Sequence, residues 1–260
     1  MSQNSPVRPA ALITGASRKI GIGAAIAKTL AQSGWDVATT YWRPYDDSMP
    51  WANQPDEAQE IIKQVQAFGS RGVGIEADLG DTTVPQSVFD QVEGALGPVT
   101  ALVMSHCHSV DSNIFTTTIE NFDQHFAINA RATWLLVREF GRRYPGPFGD
   151  GRIIAITSDH TVENLPYGAS KGAMDRIVLA AAHEFKGLGI TANVINPGAT
   201  DTGWMTAELM DHERQRTPLG RVGTPEDCAN LVRFLCSKEG GWINGQLLFS
   251  NGGVGTTSLI

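Results

Sequence analysis

Tyr167 and Lys171 stand four residues apart in Tyr167-Gly168-Ala169-Ser170-Lys171, the spacing that puts two side chains on one face of a helix. A free phenol, with a pKa of about 10, exchanges protons poorly at neutral pH. An ammonium beside it favours the phenolate and lowers that value, so the pair reads as an acid/base device. The spacing alone is common, and two further residues give it weight. Ser158 follows the run Arg152-Ile153-Ile154-Ala155-Ile156-Thr157, at the carboxyl end of an expected strand, where its hydroxyl can donate to a substrate oxygen. Asn129 is a polar amide inside Phe126-Ala127-Ile128-Asn129-Ala130 and needs partners. It reads either as a packed, satisfied amide or as the holder of a water that joins Lys171 to solvent.

A second constellation opens the chain. Thr14-Gly15-Ala16-Ser17-Arg18-Lys19-Ile20-Gly21-Ile22-Gly23 joins an apolar run to a helical one. Glycines let a backbone turn sharply and approach a pyrophosphate, and a helix N-terminus offers free amides to it. Such glycines also serve plain packing, but their place after the first strand favours a dinucleotide. An NAD site usually carries an acid at the end of the second strand, for the ribose hydroxyls. Here that end reads Thr39-Thr40-Tyr41-Trp42-Arg43, with no acid before Asp46. Arg18 and Arg43 can pair a 2′-phosphate, or be solvated surface charges. NADP(H) is therefore favoured over NAD(H).

The elements that must position these residues follow from the pattern. Strands are expected at 10–14, 36–40, 72–76, 99–104, 152–157, 191–195 and 246–249. Helices are expected at 21–33, 56–68, 84–96, 121–144, 167–188 and 225–236. Short apolar runs without polar alternation suit strands covered on both faces. Their regular exchange with helices argues a single-domain α/β fold, a doubly wound parallel seven-stranded sheet spanning residues 1–260. Two segments break the rhythm: 42–55, with Pro44, Pro50 and Pro55, and 199–223, read as the substrate-loop region. Residues 1–9 are polar and expected to be flexible.

Composition narrows the function classes. Of 260 residues 42% are hydrophobic and 18% charged, as in ordinary soluble globular proteins. The net charge of -7 argues against nucleic acid as a partner. No run is long enough to span a membrane. Cys107, Cys228 and Cys236 form no disulfide pattern, which fits a reducing, cytoplasmic setting. His106-Cys107-His108 invites a metal, but adjacent residues rarely converge on one ion. No metal is expected, and Cys107 reads as a packed or pocket-lining thiol.

Taken together, these motifs resemble the short-chain dehydrogenases/reductases, in the single-domain branch that includes 3-oxoacyl-carrier-protein reductases and carbonyl reductases. The likeness runs from Ala11 to Gly253. It rests on Thr14-Gly15 with Gly21-Ile22-Gly23, Asp78-Leu79, Asn129, Ser158, Tyr167 with Lys171, Asn196-Pro197-Gly198 leading to Thr202, and 218–227. The resemblance implies that Tyr167 donates the proton in carbonyl reduction and that Lys171 lowers its pKa and holds the nicotinamide ribose. It gives Ser158 the substrate oxygen, Asn129 the proton relay and Asp78 the adenine. Pro197, Gly198, Thr200 and Thr202 would line the nicotinamide end. It also implies a homo-oligomer, commonly a tetramer formed through the two long helices.

Three departures stand out. The glycine turn has two extra residues between Ser17 and Gly21. Met104-Ser105-His106-Cys107 replaces the family's Asn-Asn-Ala-Gly, leaving Ser105 as a weak cofactor contact. Ser158 lies only nine residues before Tyr167. The function expected is NADP(H)-dependent exchange of a ketone or aldehyde with its alcohol. Val110, His160, Trp204 and Met205 would make a partly apolar pocket for this small molecule. A 3-oxoacyl-carrier-protein reductase is the alternative, for which Arg142-Arg143, Arg214 and Arg216 could form a basic docking patch. A dinucleotide sensor without catalysis is the third reading, and the retained Tyr and Lys count against it.

Overall fold

The computed structural model describes residues 8–49 and 56–255; most of the expected flexible terminus lies outside them. Seven strands form one parallel sheet: β1 (Ala10–Thr14), β2 (Asp36–Tyr41), β3 (Gly72–Glu76), β4 (Val99–Met104), β5 (Arg152–Ile156), β6 (Thr191–Asn196) and β7 (Leu247–Phe249), in the order β3-β2-β1-β4-β5-β6-β7. The apolar runs are explained by two cores. Leu12, Leu102 and Ile153 face one side, with Phe89 and Phe140. Their chain neighbours Ile13, Val103 and Ile154 face the other, with Ile26, Leu30 and Val232. Alternate side chains point to opposite faces, so a strand covered on both must be apolar throughout.

The helices are α1 (Ile22–Gln32), α2 (Arg43–Asp47), α3 (Glu57–Ala67), α4 (Val84–Leu96), α5 (Ile119–His125), α6 (Ala132–Arg143), α7 (Leu165–Glu184), α8 (Ala207–Arg216) and α9 (Pro225–Cys236). Two of them fall where irregular chain was expected. The five-residue α2 is too short for any periodicity and carries Pro44 in its first turn, a position that tolerates proline. In α8 no residue is buried, so it has no apolar stripe to read. Its start is fixed by Thr206 Oγ1, which accepts from Leu209 N at 3.2 Å.

The expected helix over 121–144 is interrupted. Residues Phe126–Arg131 widen into a π turn between α5 and α6, and such turns gather at functional sites. The helix expected over 167–188 runs from Leu165 to Glu184, with Pro166 in its first turn. Strand order reverses between β1 and β4, which opens a crevice at their carboxyl ends. The glycine turn after β1, the β4 loop, Ser158 after β5 and Pro197 after β6 all leave the sheet at that edge.

Candidate active site

The β5 end and the start of α7 meet in this crevice. The Ser158 side chain lies beside the Tyr167 phenol, and its oxygen accepts from His160 N at 3.1 Å. Behind them the buried Lys171 ammonium donates to the Ile156 carbonyl at 2.7 Å and lies 5.6 Å from the centre of the Tyr167 ring. The Cys107 thiol sits within electrostatic reach of Tyr167, Lys171 and Tyr45. Burial pushes the Tyr167 phenol well above the usual tyrosine value, and the neighbouring Ser158 hydroxyl only partly offsets it. This differs from the expectation that Lys171 governs the phenol. The ammonium is bonded to a carbonyl, and its own pKa is lowered by burial. Desolvation of the phenolate is the larger effect, and the result is a phenol that stays protonated.

Asn129 is fully buried in the π turn. Its Oδ1 accepts from His108 N at 2.7 Å, and its Nδ2 donates to His108 O and to Ser170 Oγ, both at 2.9 Å. Both amide protons are therefore spent on the protein, and the side chain clamps the β4 loop to α7. Asn129→Ala is expected to cost about 3 kcal/mol, because it strands the buried N–H and C=O of His108 and removes one partner of Ser170. Urea unfolding would measure this, and a change under about 1 kcal/mol would exclude the clamp.

The histidines of the β4 loop turn to different partners. His106 Nε2 donates to Ile128 O at 3.1 Å, and its Nδ1 meets Thr14 Oγ1 at 2.6 Å. Burial, with Lys171 nearby, presses its pKa down to about 3. The His108 ring lies between Tyr45 and His125, with centres 5.3 and 4.6 Å away, and burial lowers it to about 4. His125 Nδ1 donates to Asn121 O at 2.7 Å, and its Nε2 accepts from Val110 N at 3.2 Å. Among the described residues no three such ligands converge on one point.

The glycine-rich turn is built tightly. Gly15 has φ +75°, and a Cβ there would lie 2.5 Å from His106 Cα; at Gly23 it would lie 2.5 Å from Gly15 O. Gly21 caps α1 without a side-chain bond, just before Ile22, so the first amides of α1 are not consumed by a cap. Arg18 Nη2 reaches across the crevice to Thr202 O at 2.6 Å. Arg43 pairs with Asp47 at 2.8 Å. Asp78 Oδ1 accepts from Gly80 N at 2.8 Å, Leu79 is buried beside it, and Ser105 N donates to Thr14 O at 3.1 Å. Gly198, with φ +63°, packs on Asn251, and Thr200 Oγ1 donates to Gly198 O at 3.2 Å. These residues all follow the carboxyl ends of the strands, and their amides, hydroxyls and guanidinium are groups that can hold an anionic dinucleotide.

Two residues there escaped the sequence reading, Tyr45 and Asp46 on α2. Tyr45 Oη accepts from Ser109 N at 3.2 Å, and Asp46 lies beside Ser17. No signal marked them, because contact across the crevice has no sequence period. The basic patch weighed for a carrier partner is neutralised. Arg142 pairs with Glu139, Arg143 with Asp90, Arg214 with Asp211 and Arg216 with Glu213. Cys228 and Cys236 are buried. No helix among the described residues is long and apolar enough to cross a membrane.

A parallel sheet of this order, with a glycine turn after its first strand and Ser, Tyr and Lys meeting at β5 and α7, defines a short-chain dehydrogenase/reductase. The chain belongs to that family of oxidoreductases. A family model described as enoyl-(acyl carrier protein) reductase matches residues 15–255. An uncharacterized oxidoreductase YjdA of Bacillus subtilis (strain 168) is 35% identical over 248 residues, which is 94% of this chain and 95% of that one. An NADPH-dependent aldehyde reductase-like chloroplastic protein of Arabidopsis thaliana is 33% identical over 94% of this chain and 93% of its own. Among solved structures, a short chain dehydrogenase from Burkholderia cenocepacia J2315 in complex with NADP superposes with a TM-score of 0.85 at 31% identity, over 97% of this chain and all of that one (100%).

Proposed function

We propose that the protein interconverts a ketone or aldehyde and its alcohol with NADP(H) in preference to NAD(H), using Tyr167 as general acid/base. The observation that carries this reading is the meeting of the Ser158 hydroxyl and the Tyr167 phenol, with Lys171 behind them, at the crevice where strand order reverses. When bound, the nicotinamide supplies or accepts the hydride. Tyr167 gives its proton to the carbonyl oxygen, and its raised pKa keeps that proton in place until a substrate oxygen needs it. Ser158 orients the same oxygen. Lys171 holds the nicotinamide ribose and keeps a positive charge near the developing phenolate. Asn129 supports the relay by fixing the β4 loop to α7.

The remaining residues divide along the crevice. Gly15, Ser17, Arg18, Gly21, Ile22 and Gly23 receive the phosphates, with Arg43 at the ribose end. Asp78 and Leu79 flank the adenine, and Ser105, Pro197, Gly198, Thr200 and Thr202 flank the nicotinamide. Residues 1–260 act as one domain, with 199–223 as the substrate loop over a pocket that includes Val110, His160, Trp204 and Met205. The half-exposed Trp134 and Phe122 on α6 and α5 give a homo-oligomer an apolar face to bury. The preference for NADP(H) is supported by Arg18 and Arg43, by the NADPH dependence named for the Arabidopsis relative and by the NADP bound to the Burkholderia one.

The test is a panel of ketones and aldehydes with NADPH and NADH in parallel. Turnover with NADPH should exceed that with NADH by about tenfold in kcat/KM, the effect of one good phosphate contact. Tight cofactor binding without turnover on any carbonyl would leave a dinucleotide sensor instead.

A further inference from the structure

Helix α2 carries an acidic side chain into the phosphate-binding turn. Asp46 is 4% exposed. Its carboxylate lies beside the Ser17 hydroxyl and in the field of Arg18. Arg43 and Asp47 of its own helix are the other charges that face it, and these two are paired with each other. The neighbouring Tyr45 reaches the opposite wall. Its phenol accepts from Ser109 N at 3.2 Å and donates to Ser109 O at 3.4 Å. The helix is thus anchored on both the glycine turn and the β4 loop.

A buried carboxylate is costly, since burial disfavours its charged form. The adjacent Asp47 avoids that cost by facing outward, with its side chain 51% exposed. Asp46 instead borders both the hydroxyl and the guanidinium that the NADP(H) reading assigns to a phosphate. Two anions at one site repel strongly.

We propose that Asp46 is a tethered anion seated at the 2′-phosphate position of the cofactor site, which NADP(H) must displace in order to bind. The inference rests on the NADP(H) reading above. Displacement is local, because α2 has five residues and Tyr45 holds it by two long hydrogen bonds. Affinity for NADP(H) is then set below what Arg18 and Arg43 allow. It also follows the charge of Asp46. Burial raises the pKa of this carboxyl, against the pull of Ser17, Arg18 and Arg43. As pH falls through that raised value the group becomes neutral and the competition ends. NADH carries no 2′-phosphate and escapes it.

The experiment measures dissociation constants of NADPH, NADH, 2′,5′-ADP and 5′-ADP for the parent, Asp46→Asn and Tyr45→Phe. It uses fluorescence and calorimetric titration between about pH 5.5 and 8.5, so that the direction of the pH dependence is read. Near the upper end, Asp46→Asn should bind NADPH and 2′,5′-ADP about tenfold more tightly than the parent, with NADH and 5′-ADP moving less than about twofold. The gap should close on acidification. Tyr45→Phe, which keeps the buried carboxylate and the ring, should give a smaller gain of the same selectivity, and it serves if Asp46→Asn fails to fold. Unchanged or weaker NADPH binding, or equal gains for both cofactors, overturns the role of Asp46 while leaving the oxidoreductase reading intact. A parent that binds neither nicotinamide overturns both.

Discussion

Tyr167→Phe is expected to lower kcat by about a thousandfold, within the range for loss of a positioned general acid, and to leave NADPH affinity within about threefold. The substitution deletes one oxygen and keeps the ring, so its half-buried packing at the start of α7 survives. Lys171 keeps its bond to Ile156 O and its place 5.6 Å from the ring centre. Ser158 keeps its contact with His160 N and remains able to hold a substrate oxygen. What disappears is the one acidic proton in line with that oxygen. Steady-state turnover on the best carbonyl, beside cofactor titration of the same preparation, separates the two effects. Turnover above about a tenth of the parent's would remove Tyr167 from the chemistry. Cofactor binding that falls as far as turnover would make the loss one of structure.

The parts of this site that could be read from the sequence are those a local pattern carries. Tyr167 and Lys171 share a helix face, Ser158 ends an apolar run, and the glycines follow the first strand. Each statement concerns neighbours in the chain. The sheet was legible for the same reason, since Leu12-Ile13, Leu102-Val103 and Ile153-Ile154 feed two cores at once. What was hidden depends on contact between distant segments. The amide of Asn129 reads as a candidate water holder until His108 and Ser170 are seen to consume its donors. Arg142 and Arg143 read as a patch until Glu139, Glu93 and Asp90 are placed around them. The electrostatics of Tyr167 were misjudged because spacing gives the distance to Lys171 and says nothing of desolvation. One departure from the family's pattern is Met104-Ser105-His106-Cys107. There the buried His106 ring braces Thr14 and Ile128, and just beyond it the buried His108 ring packs on the α2 tyrosine.

Those imidazoles have a second consequence, a steep loss of stability on mild acidification. An unfolded histidine takes up a proton near its ordinary value of about 6.5. In the native protein His106 does so only at about 3 and His108 only at about 4. Between those values the unfolded state binds more protons, so stability falls as pH falls. From pH 7 to pH 5 each histidine should remove about 2 kcal/mol, about 4 kcal/mol together, a large share of an ordinary domain's margin. His125, also lowered by burial, adds in the same direction. The carboxyls of Asp46 and Asp175, raised by burial, oppose it, so a variant is needed to isolate the histidines. Asp227, held at about 2 by Arg221, contributes its own loss only below about pH 4. Urea unfolding across this range should show the parent losing stability steeply and His108→Asn losing about half as much. Because His106 ties β1 to the π turn and His108 is clamped by Asn129, the site should loosen with the fold, and activity should fail over the same interval. A parent whose stability is flat between pH 7 and 5, or a His108→Asn profile identical to it, would mean that these rings accept protons in the native state after all.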